Sequence, residues 1–262
     1  MRKGSPEVEA QFLRRLQALL PHNTRPILVA DAGFRVPWFR VVESLGWHWV
    51  GRVRGTTRLC FPGKSRWIPC RRLFAAARAR GRSLGWAQLT ESNPIGCRLV
   101  LARRRCHGRH QHTRHGWRAR GGHSEKMAAR TKEPWLLAVS ASLDTLSPAR
   151  IVKLYTRRMQ IEQSFRDLKS HRYGCAFEDT LTRDPQRLEM LLLIHALASL
   201  AAWLEGLGAA AETELKSTTP PTRRFHSVTW IGFERLRRQS AVLSHSPTAA
   251  VARLRQILAE VA

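Results

Sequence analysis

Tyr155, Arg158, Glu162 and Lys169 stand at offsets of zero, three, seven and fourteen residues in one stretch of the chain. On an α-helix, at about 100° per residue, these positions fall within a sector of about 60° and form a stripe about 20 Å long. The stripe carries a carboxylate, two cations and a phenol. The cations and the phenol are hydrogen-bond donors suited to phosphate oxygens. Leu154, Ile161, Phe165 and Leu168 make a neighbouring apolar stripe, expected to anchor the helix to a core. A solvated helix face with an Arg158–Glu162 pair at i, i+4 spacing has the same pattern. A second carboxylate, Asp31, closes the short apolar run PILVAD, which reads as a strand. The carboxyl end of a strand is where open α/β sheets bind ligands.

The elements that must hold these groups alternate between helix and strand. Residues 6–20 have helical apolar spacing through Val8, Phe12, Leu16 and Leu19 or Leu20. After the PILVAD strand come an amphipathic helix over Val36 to Leu45 and a strand over Trp47 to Arg54. This alternation predicts an α/β fold, a sheet covered by helices. Residues 55–132 read as a β-rich insertion, with strand candidates at Arg58–Phe61, Ser83–Leu89 and Arg98–Arg103. It ends in a basic loop from Arg103 to Lys132. The α/β pattern resumes with the strand PWLLAVSASL. A single long helix then starts at Ser147-Pro148, with Ser as N-cap and Pro at the first position, and runs to about His171. A further helix covers about Pro185 to Glu205. Beyond the Thr/Pro linker KSTTPPTRR, amphipathic helices are expected near 229–238 and 247–261. The regions are therefore 1–54, 55–132, 133–206 and a helical tail 207–262.

The composition narrows the partners. The chain has 262 residues, with 45 Lys and Arg against 19 Asp and Glu, a net charge of +26. Most of the cations are Arg, whose fork matches phosphate oxygens, so nucleic acid is the first partner to consider. The five cysteines, at 60, 70, 97, 106 and 175, show no CxxC pair and suit reduced thiols in the cytoplasm. The apolar run Met190 to Leu204 is short for a bilayer and contains His195 and Ser199, which predicts a buried helix and no membrane partner.

The spacing Tyr-x2-Arg-x3-Glu-x6-Lys, within IVKLYTRRMQIEQSFRDLKSHRYG, resembles the YREK signature of the insertion sequence 4 family of bacterial DDE transposases. ILVADAGF resembles that family's strand bearing the second catalytic Asp, and FEDTLTRDPQRLEMLLLIHALA resembles its downstream pattern. The resemblance covers about residues 20–205. It implies a ribonuclease H-like core with inserted strands, DNA end cleavage, and strand transfer by two-metal phosphoryl transfer. Asp31 and Glu162 would be catalytic and would hold Mg²⁺ or Mn²⁺. Tyr155, Arg158 and Lys169 would contact phosphates of double-stranded DNA at the transposon ends. A homodimer in a synaptic complex and a cytoplasmic, nucleoid-associated location follow from the same resemblance.

Such a site needs three carboxylates, and no Asp precedes Asp31. Glu7 and Glu9 read as charges favouring a helix N-terminus. Asp144 ends the strand before the motif helix and is a weak substitute. Asp167 lies about 120° around the helix from Tyr155, away from the stripe. The expectation is a core missing its first strands, N-terminally truncated and weak or inactive alone. The alternative is a non-catalytic DNA-binding protein or inhibitor derived from a transposase. His107, His110, His112, His115 and His123 beside Cys106 fit no clean zinc spacing and read as a DNA-contacting loop, with Trp117 a stacking candidate. Arg235, Arg237, Arg238, Arg253 and Arg255 suit either a binding surface or a solvated face.

Overall fold

The computed structural model describes residues 4–104, 117–169, 176–216, 227–238 and 247–259. It has two compact units, Met1–Met159 and Gln160–Ala262.

The first unit is built on a mixed seven-stranded sheet. Its strands are β1 (Ile27–Ala30), β2 (His48–Val53), β3 (Arg58–Cys60), β4 (Ile68–Pro69), β5 (Arg82–Leu89), β6 (Ile95–Ala102) and β7 (Trp135–Val139), in the spatial order β1-β2-β7-β6-β5-β3-β4. The β1–β2 pair is parallel, as the helix between them, α2 (Val36–Ser44), requires. Every other pairing is antiparallel. The strands between residues 58 and 102 continue the same sheet as β1, β2 and β7.

Strand alternation sorts the residues between two faces. Leu28, Ala30, Trp49 and Val53 belong to one core, with Leu13 of α1 (Pro6–Leu19) and with Trp38, Phe39 and Val42 of α2. The Phe39 ring stacks on Trp49 at 4.1 Å and lies over Gly51, where a Cβ would strike it. Ile27, Val29, Val50, Leu137 and Val139 face the other way and pack with Ile151 and Tyr155 of α4 (Pro148–Thr156). Buried Arg98 of β6 fixes the approach to α4: it donates to the Asp144 and Leu146 carbonyls at 2.6 and 2.8 Å. Ser147 then caps the helix by accepting from the Arg150 N–H.

Two expectations fail here. The basic stretch from Arg103 to Lys132 is not all loop: Gly122–Thr131 is a helix, α3. The Cys106, His107, His110, His112 and His115 cluster lies outside the described residues. The single helix expected over 148–171 is two, α4 and α5 (Met159–Lys169), interrupted at Arg157–Arg158. The Thr156 hydroxyl donates back to the Val152 carbonyl at 2.8 Å, a bond that bends helices. The Arg157 and Arg158 N–H groups then bond to Leu154 and Tyr155, three residues back, which tightens the turn. The continuous stripe therefore does not exist as one helix face. Leu154 packs on the α4-side core, but Ile161 and Phe165, expected as anchors, are more than half exposed.

The second unit is helical. It contains α5, the long α6 (Pro185–Lys216), α7 (Val228–Arg237) and α8 (Pro247–Ala259). α6 and α7 cross closely through small residues. A Cβ on Gly232 would run into the Ala202 carbonyl, and one on Gly206 into the Val228 carbonyl. Ala202, Leu207 and Ala209 are buried. The amino-terminal half of α6 is different: Met190, Leu192, Leu193, Ile194, Leu197 and Leu200 are all exposed. The expected buried helix is thus buried only toward its carboxyl end, because α7 meets α6 around Ala202 and Gly206. Pro185–Ala209 is also long and apolar enough to cross a membrane by length and composition alone.

Candidate nucleic-acid and catalytic site

The carboxyl ends of β1 and β2 bring together several residues singled out by their chemistry. β1 runs directly into Asp31, whose Oδ1 accepts the Gly33 N–H at 2.7 Å. The Asp31 carboxylate is exposed and turned into the loop that leads to α2. On β2, alternation puts Arg52 on the same face as Val50, the face covered by α4. Arg52 pairs in register with Leu137 of β7, and Trp135 starts that strand at the same end of the sheet.

Tyr155 sits above this end. It is 1% exposed, and its ring meets Trp135 edge-to-face at 4.8 Å. The Arg158 guanidinium stands 5.8 Å from the Tyr155 ring centroid, and the Arg104 guanidinium 5.2 Å from that of Trp135. Burial pushes the Tyr155 phenol above its ordinary pKa and the Asp31 charge adds to this, while Arg52 and Arg158 beside it pull the other way. Burial draws Arg52 below the usual guanidinium range, helped by Arg54 and opposed by Tyr155 and Glu133. Arg54 is held by Glu133 at 2.9 Å, and Arg52 donates a long 3.4 Å bond to the Glu133 carbonyl. Beyond the strand ends lies a cleft of about 800 Å³ lined by Ala32, Phe34, Arg35, Arg54, Thr56 and Arg58, among others.

Asp31, Tyr155 and Arg158 are therefore all in the first unit, and burial, charge and ring contact link them. Glu162 and Lys169 lie in the second unit on α5, seven residues apart and so on one side of that helix. Asp167 of the same helix accepts from the Ser227 hydroxyl, which also caps α7. Asp144 does not supply a third carboxylate. Val139 pairs with Val50, and His48 at the start of β2 meets Ser142, so the chain leaves β7 at the end of the sheet away from Asp31. Asp144 pairs instead with Arg98 at 3.6 Å. Trp38, Trp47 and Trp49 are core residues as expected, and Trp117 is 75% exposed. Arg235 pairs with Glu205, and Arg237 and Arg238 with Glu234.

Reasoning from motif spacing missed Arg52 and Glu133. The signal for Arg52 was available: in the strand HWVGRV it is a charge at the inward phase set by Val50. No three His, Cys, Asp or Glu side chains gather into a metal-binding group among the described residues. The Asp31 charge is felt at Tyr155, which stands with Arg52 and Arg158, and neither a phenol nor a guanidinium is a usual ligand for a hard divalent ion. The described residues thus do not fit the pair of Mg²⁺ or Mn²⁺ ions implied by the resemblance.

Residues 6–201, well over half the chain, match the family described as Transposase DDE domain. The chain belongs to that family. None of the curated proteins searched matches it.

Proposed function

We propose that this chain is the DNA-engaging core of a DDE transposase of the YREK type, on a ribonuclease H-like scaffold, with an incomplete set of catalytic carboxylates. The carrying observation is the buried Tyr155 phenol beside Arg52 and Arg158 with Asp31 nearby, at the carboxyl end of a parallel strand pair. Guanidinium forks and a phenol are phosphate-binding groups, and a strand terminus beside a cationic cleft suits a DNA backbone. In this reading Tyr155, Arg158 and Lys169 grip phosphates of double-stranded DNA, at transposon ends and target. Asp31 and Glu162, each on its own unit, would be two of the three carboxylates that cutting requires. A neighbouring strand lies about 4.8 Å away in a sheet, so a third carboxylate beside Asp31 would come from a strand paired with the outer edge of β1. That edge has no partner among the described residues. A second copy in a synaptic complex, a nucleoid-associated cytoplasmic location and no membrane partner belong to the same proposal.

A second reading is favoured by the lack of a three-ligand cluster among the described residues: a DNA-binding derivative that no longer cuts. Duplexes carrying matched transposon-end sequences separate the two. Tight, salt-sensitive binding with Mg²⁺- or Mn²⁺-dependent nicking that disappears in D31N and E162Q supports the cutting enzyme. The same binding without nicking supports the derivative. Failure to bind any duplex at low salt defeats both.

A further inference from the structure

We propose that Arg52, outside the motif residues, is a phosphate ligand of this site, held in place by Tyr155. The inference rests on the DNA-binding reading above and names a contact which that reading lacks. Arg52 is the inward-facing charge of β2, and its Nε is buried with no hydrogen-bond partner among the described residues. The buried hydroxyl of Tyr155, directly beside it, likewise has none at good geometry. Arg52 forms no ion pair among the described residues, whereas the nearby cations Arg54 and Arg58 pair with Glu133 and Glu91. Among the described residues it is held by a long 3.4 Å contact with the Glu133 carbonyl and by the neighbouring Tyr155 hydroxyl.

A partly buried cation with no ion-pair partner of its own adds less to the fold than a paired one, and gains when an anion meets it. The choice of residue suggests what that anion is. A guanidinium cannot shed its proton at neutral pH and presents a planar fork that matches two oxygens of a phosphodiester. Placement agrees. The strand end carrying Arg52 adjoins Asp31 and opens toward the cationic cleft, so a backbone phosphate on Arg52 would set the register of a DNA strand against the Asp31 carboxylate. Arg52 is thus a binding and positioning residue, and Tyr155 orients its fork.

The test uses the full chain as wild type, R52M, R52K and Y155F. It reads thermal melting and the affinity for a linear duplex across several salt concentrations. Removing a partly buried charge that has no ion pair among the described residues is expected to leave the R52M melting temperature equal to or above wild type, while duplex affinity falls about tenfold or more. The log–log salt slope should shrink by about one phosphate contact. R52K should fold as wild type, keep the slope and lose affinity severalfold, because the charge stays and the fork goes. Y155F should weaken binding less than R52M does. Wild-type affinity in R52K or R52M overturns the assignment. So does a parallel fall of melting temperature and affinity in R52M together with full recovery of both in R52K, which marks a structural role. If wild type binds no duplex, the transposase reading falls, and inorganic phosphate decides about Arg52. A melting temperature that phosphate raises in wild type but not in R52M upholds an oxyanion site there, and no rise removes it.

Discussion

The two units bury their apolar residues differently. In the first, both faces of the sheet are closed by its own helices: α1 and α2 over Trp49 and Leu28, α4 over Val50 and Val139. Fully buried Trp49, Leu99, Leu136, Leu137 and Ile151 leave little freedom at the strand ends that carry Asp31 and Arg52. In the second, burial clusters where α6 crosses α7, and the amino-terminal half of α6 exposes seven large apolar residues, Leu188 among them. The first unit can therefore fix the positions of these side chains by packing alone. The second holds Glu162 and Lys169 on a helix whose Ile161 and Phe165 are exposed.

The largest expected effect tests that contrast. Trp49→Ala removes the ring stacked on Phe39 and its indole bond to Glu43, and should cost the first unit about 3–5 kcal/mol. Denaturant titration with amide exchange resolved along the chain is the measurement. Protection should fall in β1, β2 and β7. A fall confined to α6 and α7, or no change in stability, would break the contrast.

Much of this packing was legible in the sequence, for a local reason. A short apolar run marks β1, and helical spacing with Ser caps marks α1 and the start of α4. Asp31 was readable because an apolar strand ends on it. Three features were not readable, and each depends on contacts distant in sequence or on a single hydroxyl. The break after Thr156 interrupts a run, TRRM, whose intrinsic preference is helical; it follows from a back-bond to Val152 and the anchoring of Tyr155 in the core. The position of Asp144 at the far end of the sheet follows from the antiparallel register of β7 on β2. The exposure of α6 follows from where α7 crosses it, and the apolar run itself looks the same in a buried helix. The motif residues are therefore shared between two helices and do not form one continuous stripe.

Within the second unit, substitution at the crossing should be costly. A Cβ on Gly232 meets the backbone carbonyl of Ala202, which has no rotamer by which to yield. Gly232→Ala should therefore destabilise this unit by about 1–3 kcal/mol, the range for overpacking. Thermal melting with exchange protection in α6 and α7 checks it; an unchanged melting temperature would show that the helices do not cross as closely as described. On α6, Leu197→Ser should change stability by no more than about 0.5 kcal/mol, because Leu197 is 59% exposed. A loss of several times that amount would mean that the exposed half of α6 is covered in solution, and would erase the difference between the units.

The smallest expected effect uses one histidine from each unit. His48 at the start of β2 meets Ser142, and burial lowers its pKa from the ordinary 6.5, with Arg25 adding to the shift. His195 on α6 meets the Ser199 hydroxyl at 3.2 Å, and burial lowers its pKa as well. In both cases the unfolded chain takes up the proton at a higher pH than the folded one. The folded state therefore holds its full share of stability above the ordinary value of 6.5 and loses it as pH falls from there toward the lowered pKa. Melting temperatures of wild type, H48Q and H195Q between about pH 8 and pH 5 should show wild type losing more than either variant on acidification. The His48 share should appear in the sheet unit, and the His195 share in α6. If H195Q matches wild type across the range while H48Q does not, His195 is as solvated as its exposed neighbours. The contrast in burial between the two units would then extend to their titrating groups.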